Sequence, residues 1–183
     1  MAPKKTTKSS IDTSLFKKLA PRMMRDLMRD FSPLADFQAA GAVGNGGGES
    51  GGFTQIQELH PTVKGSKGGL GFFQWTGMGT PAKPGRRRAF EKLLKEMDRN
   101  PDSYDANYEM LRRELKGQEK ATIPNLRKAK DIDEATKIFM VYFERPGVPH
   151  YEGRVKWSKM ALQAYQAEEK KIAKDPVGIT STT

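Results

Sequence analysis

The chain is 183 residues long, 36% hydrophobic and 30% charged, with no cysteine, two histidines and a formal net charge of +10. Without cysteine there is no disulfide, no thiolate nucleophile and no cysteine-ligated zinc, and His60 and His150 are too few for a histidine-rich metal site, so neither a metal nor another cofactor is expected. No apolar run approaches the ~20 residues of a membrane-spanning helix, and the excess of cations predicts attraction to a polyanion: nucleic acid, anionic lipid or an acidic wall polymer.

The opening "MAPKKTTKSS" carries lysines with no apolar segment behind them, so no conventional secretory signal is expected. Residues 1–12 read as a basic flexible tail, 13–167 as a single domain and 168–183 as a second loose tail. Within residues 1–30, eight cations face three carboxylates, so half of the net charge sits in a sixth of the chain. Leu15, Leu19, Met23, Leu27 and Phe31 recur every four residues and predict an amphipathic helix, which Pro21 should kink or split. Its basic face is either simply solvated or a surface for an anionic envelope.

Ser32-Pro33 reads as N-cap and first position of a second helix through "LADFQAAGAVGN". Ala39, Ala40, Gly41 and Gly44 give it a face that another backbone can approach closely. The Gly46-Gly47-Gly48 run should end it, leaving Glu49 at or just past the terminus. There the negative end of the helix dipole disfavours an ionised carboxylate, which suits a general acid.

Residues 53–76, "FTQIQELHPTVKGSKGGLGFFQWT", mix Phe, Ile, Val and Trp with Thr and Gln around a glycine cluster, and predict a small antiparallel hairpin or three-stranded sheet. Beyond "PAKPG" the pattern is helical: Phe90, Leu93, Leu94 and Met97; then Tyr104, Tyr108, Leu111 and Leu115 after an Asn100-Pro101 cap. Two more follow: Ile132, Ala135, Ile138, Phe139 and Tyr142 after Asp131 or Asp133, then Tyr151, Val155, Leu162 and Tyr165. Arg86, Arg87 and Arg88 open a helix at its positive end, an arrangement that calls for a carboxylate partner or a solvated face. No internal repeat and no second domain are visible.

Four pieces in order, "QAAGAVGNGGGESGGF", "IQELHPTVKGSKGGLGFFQWTG", "GRRRAFEKLL" and "YFERPGVPHYEGRV", resemble the phage tail lysozyme family, muramidase-like domains of bacteriophage in the lysozyme superfamily. The resemblance spans residues 30–165 and rests on G-N-x-x-x-E-S-G, a downstream Q-W-T-G and the arginine cluster. One departure is that three glycines separate Asn45 from Glu49, where the family pattern includes a larger residue. The resemblance implies an α+β, predominantly α-helical, lysozyme-like fold, with a helical lobe and a small antiparallel hairpin or sheet flanking a cleft. It also implies a peptidoglycan-degrading glycosidase that cuts the β-1,4 bond between N-acetylmuramic acid and N-acetylglucosamine. Such a protein is made in the infected bacterial cytoplasm and acts on the periplasmic wall, or is carried on the virion.

Glycoside cleavage needs a protonated carboxyl beside the leaving oxygen, and usually a second carboxylate to activate water or to stabilise the oxocarbenium ion. Glu49 is the expected acid and Glu58, nine residues on, the expected second group. Gln74, Trp75 and Thr76 match the family's cleft-floor motif, with Phe73, Asn45 and His60 as further substrate-binding candidates. The alternative for Trp75 is a core indole. Glu144, in "YFERPG", could salt-bridge an arginine or line the far side of the cleft, and Arg87 could supply supporting charge. Expected partners are peptidoglycan and the anionic envelope, not nucleic acid, and the protein is expected to be a monomer. A lytic transglycosylase, a catalytically silent wall-binding virion component and, on charge alone, a nucleic-acid-binding protein are the competing classes.

Overall fold

The computed structural model describes residues 12–61 and 64–175. Among them are seven α-helices: α1 Ser14–Asp30, α2 Asp36–Glu49, α3 Arg86–Met97, α4 Tyr104–Lys116, α5 Thr122–Leu126, α6 Ile132–Phe139 and α7 Tyr151–Lys174. A π-helical turn, Met140–Glu144, continues α6. The basic tail expected over residues 1–12 lies outside the described residues except for Asp12. At the other end α7 continues to Lys174, beyond the expected boundary at 167.

α1 is one helix with Pro21 inside it, not a broken pair, and its buried face carries Phe16, Ala20, Pro21, Met23, Met24 and Leu27. An interior proline costs about 3 kcal/mol. Burying each large apolar side chain on this face returns about 1.5–3 kcal/mol, so packing outweighs the lost hydrogen bond. Leu15, expected on the inner face, is partly exposed; the stripe is centred on Phe16 instead.

α2 begins three residues after Pro33, not at it. Gln38 marks the start: its Oε1 accepts from the Ala35 N–H at 3.0 Å, and its Nε2 donates to the carbonyls of Arg127 and Ala129, both at 3.1 Å. From Gln38 to Gly47 every residue is buried, and the helix packs against α1, α6 and α7. That packing accounts for the glycines. A Cβ at Gly41 would stand 2.7 Å from Ala135 Cβ on α6, and one at Gly44 would overlap the Ser158 backbone on α7. One at Gly46 would meet the Phe73 ring at 2.9 Å. The Gly46–Gly48 run therefore does not end the helix, which reaches Glu49 because its neighbours enclose it.

The segment between α2 and α3 forms no strand among the described residues, which corrects the expected hairpin and with it the α+β class. It has only isolated antiparallel bridges, Gln57 with Leu70, Leu70 with Trp75 and Gly79 with Pro84. A ladder needs successive residues in the β region, whereas Gly68, Gly71, Gln74, Gly77 and Gly79 all have positive φ. Side chains reinforce the few backbone hydrogen bonds, such as Glu58 N–H to the Gly69 carbonyl and Gly71 N–H to the Ile56 carbonyl. Arg87 Nη1 donates to the carbonyls of Lys67 and Gly68, its Nη2 to Gln57 Oε1 at 2.8 Å, and Glu58 Oε2 accepts from the Gly69 N–H at 2.9 Å.

Aromatic rings fasten this irregular lobe to the helices. Phe53 stacks on Phe72 and tilts against Phe16; Phe73 touches Trp75, Phe139 and Phe143; Trp75 reaches Phe90. α4 is capped by Ser103, whose hydroxyl accepts from the Ala106 N–H, rather than by Asn100-Pro101. Of the two candidate caps for α6, Asp131 and Asp133, the structure uses Asp131, which accepts from the Glu134 N–H at 2.8 Å.

Candidate active site

Glu49 is the last residue of α2, and its side chain remains 21% exposed. It lines two adjoining cavities, of about 600 Å³ and about 710 Å³, that have Glu49, Gln74 and Thr76 in common. The first is closed by Glu144, the following loop and the start of α7. The second is closed by residues 54–60, including Glu58 and His60. Together they make an open groove that crosses the end of α2.

Arg154, from α7, fixes Glu49. It is 4% exposed and spends all its nitrogens: Nη2 donates to Glu49 Oε1 at 2.5 Å, Nη1 to Asn45 Oδ1 at 3.1 Å and Nε to the Pro149 carbonyl at 2.8 Å. Asn45 is buried one turn before Glu49, and its Nδ2 donates to the Gly41 and Thr136 carbonyls. Behind it, the Thr136 hydroxyl donates to Ser158 Oγ at 2.8 Å, and Ser158 Oγ donates to the Arg154 carbonyl at 3.0 Å. Asn45 therefore braces the arginine and is not a substrate-binding group.

Glu144 enters the first cavity from the end of the π turn, a feature frequent at functional sites. Its Oε1 is shut off from solvent and has no hydrogen-bond partner among the described residues. Burial, and then the nearby charge of Glu49, push its carboxyl well above the usual range; Arg86 and Arg154 only partly oppose this. Arg86 is committed elsewhere. Its Nε and Nη2 grip Glu114 at 2.6 and 2.7 Å, and its guanidinium lies 4.6 Å above the Phe143 ring.

The other expected site residues divide. Gln74 sits at the junction of the two cavities with φ of 46°, and its Nε2 donates to the carbonyls of Gln55 and Gly71, both at 2.8 Å. The amide nitrogen is thus used by the fold and Oε1 is the end left for a ligand. Thr76 is exposed beside it, while Glu58 and the exposed His60 line the second cavity. Trp75 is a correction: at 0% exposure it belongs to the core, whereas Phe73, 1% exposed, packs into the core and also borders the first cavity. The indole Nε1 donates to Glu114 Oε2 at 2.7 Å, so no ring face is offered to a sugar. Arg87 is likewise structural, paired with Glu91 at 3.0 Å while it clamps the loop.

Arg154 and Glu114 are the residues the sequence reading missed. Each had a signal. Arg154 shares a helical stripe with Ser158 and Ala161, the small residues that face α2, and Glu114 lies on the apolar stripe of Leu111 and Leu115.

These features define a class: a helical domain with an open groove floored by carboxyls, and with no metal-ligating cluster among the described residues. The profile of the phage tail lysozyme family matches residues 30–165, and the chain belongs to that family. It is accordingly a lysozyme-like phage protein directed at peptidoglycan. No curated protein and no solved structure matches the chain. Among the described residues no helix is long and apolar enough to cross a membrane.

Proposed function

We propose that the protein is a glycoside hydrolase that cleaves the β-1,4 bond between N-acetylmuramic acid and N-acetylglucosamine, with Glu49 as general acid and Glu58 as the second carboxylate. The observation that carries this reading is the position of Glu49, which borders both halves of the groove. An enzyme that cuts inside a polymer must hold sugars on both sides of the scissile bond, with its acid between them. Arg154 engages Oε1 and leaves Oε2 for the leaving oxygen. Gln74 Oε1 and the Thr76 hydroxyl flank the same point and suit the N-acetyl and hydroxyl groups of a sugar.

Glu58 lines the second half of the groove together with Glu49, and the Gly69 N–H holds its Oε2. That bond orients the carboxylate without neutralising it, so it can activate water or face the oxocarbenium ion. Were Glu58 idle, the muramic acid 6-hydroxyl would close on C1 instead, as in a lytic transglycosylase. Mass spectrometry of digested sacculi separates the two, since hydrolysis gives reducing muropeptides and transglycosylation gives 1,6-anhydro products lighter by one water. Glu49→Gln should fold by circular dichroism yet lose ~10²-fold or more of the activity, the scale of general acid catalysis. A folded variant that clears peptidoglycan at the wild-type rate would end the assignment.

A further inference from the structure

Around Glu144 the charges do not balance. Four carboxyls, on Glu49, Glu114, Glu119 and Glu144, are served by three guanidiniums, each already taken. Arg154 is bound to Glu49, Arg86 holds Glu114 through two contacts, and Arg145 holds Glu119 at 2.7 and 2.8 Å. Glu144 is the carboxyl left over, with a buried, unpartnered Oε1 in the cavity it shares with Glu49. Its surroundings contribute Glu49 from α2, Arg86 from α3, Glu114 from α4 and Arg154 from α7, with Arg145 following it in the chain and the exposed His150 at the cavity rim. An uncompensated carboxylate in such a place is expensive, and a neutral acid is not.

We propose that Glu144 and Glu49 hold one proton between them, Glu144 being a positioning residue that stores the proton Glu49 delivers to the glycosidic oxygen. This rests on the reading of Glu49 as the general acid. At rest the proton is on Glu144 and Glu49 is the carboxylate held by Arg154. Substrate entry brings the leaving oxygen against Glu49; the O–H bond of Glu144 breaks, a proton passes through water in the shared cavity, and an O–H bond forms on Glu49. That proton goes to the glycosidic oxygen as its bond to C1 breaks. The attacking water makes the new bond to C1 and gives up its own proton by way of Glu58, which restores the pair. One water is consumed and no proton is gained or lost. Burial first, and then the charge of Glu49 in the shared cavity, hold the proton on Glu144.

Infrared spectroscopy of the intact protein without substrate tests the storage directly. The wild-type protein at neutral pH should show a protonated-carboxyl C=O band that Glu144→Gln abolishes and that Glu49→Gln loses at a lower pH than the wild type, because the Glu49 charge no longer helps to hold the proton. In peptidoglycan turbidity assays Glu144→Gln should keep substantial activity at acidic pH, while the basic limb of its rate profile moves down by about one pH unit or more. Glu144→Asp, which keeps a carboxyl in the cavity, should restore both signals. Absence of the band from the wild-type protein overturns the proposal without any variant having to fold, and so does a Glu144→Gln profile whose basic limb has not moved. Failure of the acid assignment shows separately, as activity surviving in Glu49→Gln.

Discussion

Arg154 on α7 and Glu49 at the end of α2 are 105 residues apart in the chain and joined by a hydrogen bond of 2.5 Å. The same guanidinium holds Asn45 and the Pro149 carbonyl, so one side chain sets the acid, the helix that carries it and the loop over the first cavity. Arg154→Lys keeps the charge but loses the fork, and misplacement of Glu49 should cost about 10–100-fold in turnover with little change in overall fold. Arg154→Ala also strands Glu49 without its partner. Because that side chain is partly exposed, the stability loss should be about 2–3 kcal/mol, below the 3–5 of a fully buried pair. Thermal melts with parallel turbidity assays separate the two effects; equal activity in both variants and the wild type would deny the arginine a positioning role.

The glycines of α2 differ in what they protect. Gly44→Ala pushes a methyl group into the Ser158 backbone and should destabilise by about 3 kcal/mol or more, because two helices must move apart. Gly48 is exposed, and a Cβ there finds Arg154 Cγ at 3.1 Å and Trp157 Cδ1 at 3.8 Å, close but not overlapping. Gly48→Ala should stay within about 1 kcal/mol of wild type, with the gain in helix propensity offsetting the crowding. Denaturant midpoints of the two variants check the contrast.

What the sequence made legible follows physical lines. The stripe Tyr104, Tyr108, Leu111, Leu115 reads as a helix because its period is local, and α4 covers it. Glu49 was visible as a carboxyl at a helix end for the same reason. The hairpin was misread because Ile, Val, Thr and Trp raise β-propensity whatever the backbone does, while the positive φ of Gly68, Gly71 and Gln74 is decided by Arg87 and by ring packing. Trp75 was ambiguous in principle, since an aromatic side chain suits a sugar platform and a core equally; only its bond to Glu114, 39 residues away, chooses. The partner of Glu49 was hidden by sequence distance.

If Trp75 is core and not cleft, Trp75→Phe should act on stability alone. It removes the hydrogen bond to Glu114 Oε2, a charge-assisted contact worth about 1.5–3 kcal/mol, while Arg86 keeps the carboxylate paired. The melting temperature should fall and KM for peptidoglycan fragments stay unchanged. A raised KM at unaltered stability would return the indole to the substrate.

The lysines of residues 1–10 should affect encounter and not chemistry. Surface attraction is screened beyond about 8–10 Å at physiological salt, so activity on permeabilised cells should decline as salt rises. Deleting residues 1–10 removes Lys4, Lys5 and Lys8. The truncated protein should show a weaker salt dependence, the same rate on short neutral oligosaccharides and the same melting temperature; inactivity on every substrate would place these residues in the catalytic domain.

Glu144 should leave a signature in stability as well as in rate. Its carboxyl is raised well above the ordinary 4.5 in the folded protein, so between 4.5 and that higher value the folded chain binds a proton that the unfolded chain has lost. Folding stability from this group therefore falls as pH rises through the window, and above it the wild-type protein bears the cost of a charged carboxylate whose Oε1 is sealed from solvent without a partner. Glu144→Gln has no such titration, and with Oε1 unpartnered it forfeits no hydrogen bond there. The variant should melt close to wild type below pH ~4.5 and a few degrees above it at mildly alkaline pH, where each kcal/mol amounts to about 2–4 °C in a chain of this size. The difference between the two melting temperatures must thus grow with pH. A constant offset across the range would mean that Glu144 keeps one charge state throughout, and a carboxyl that never releases its proton cannot supply Glu49.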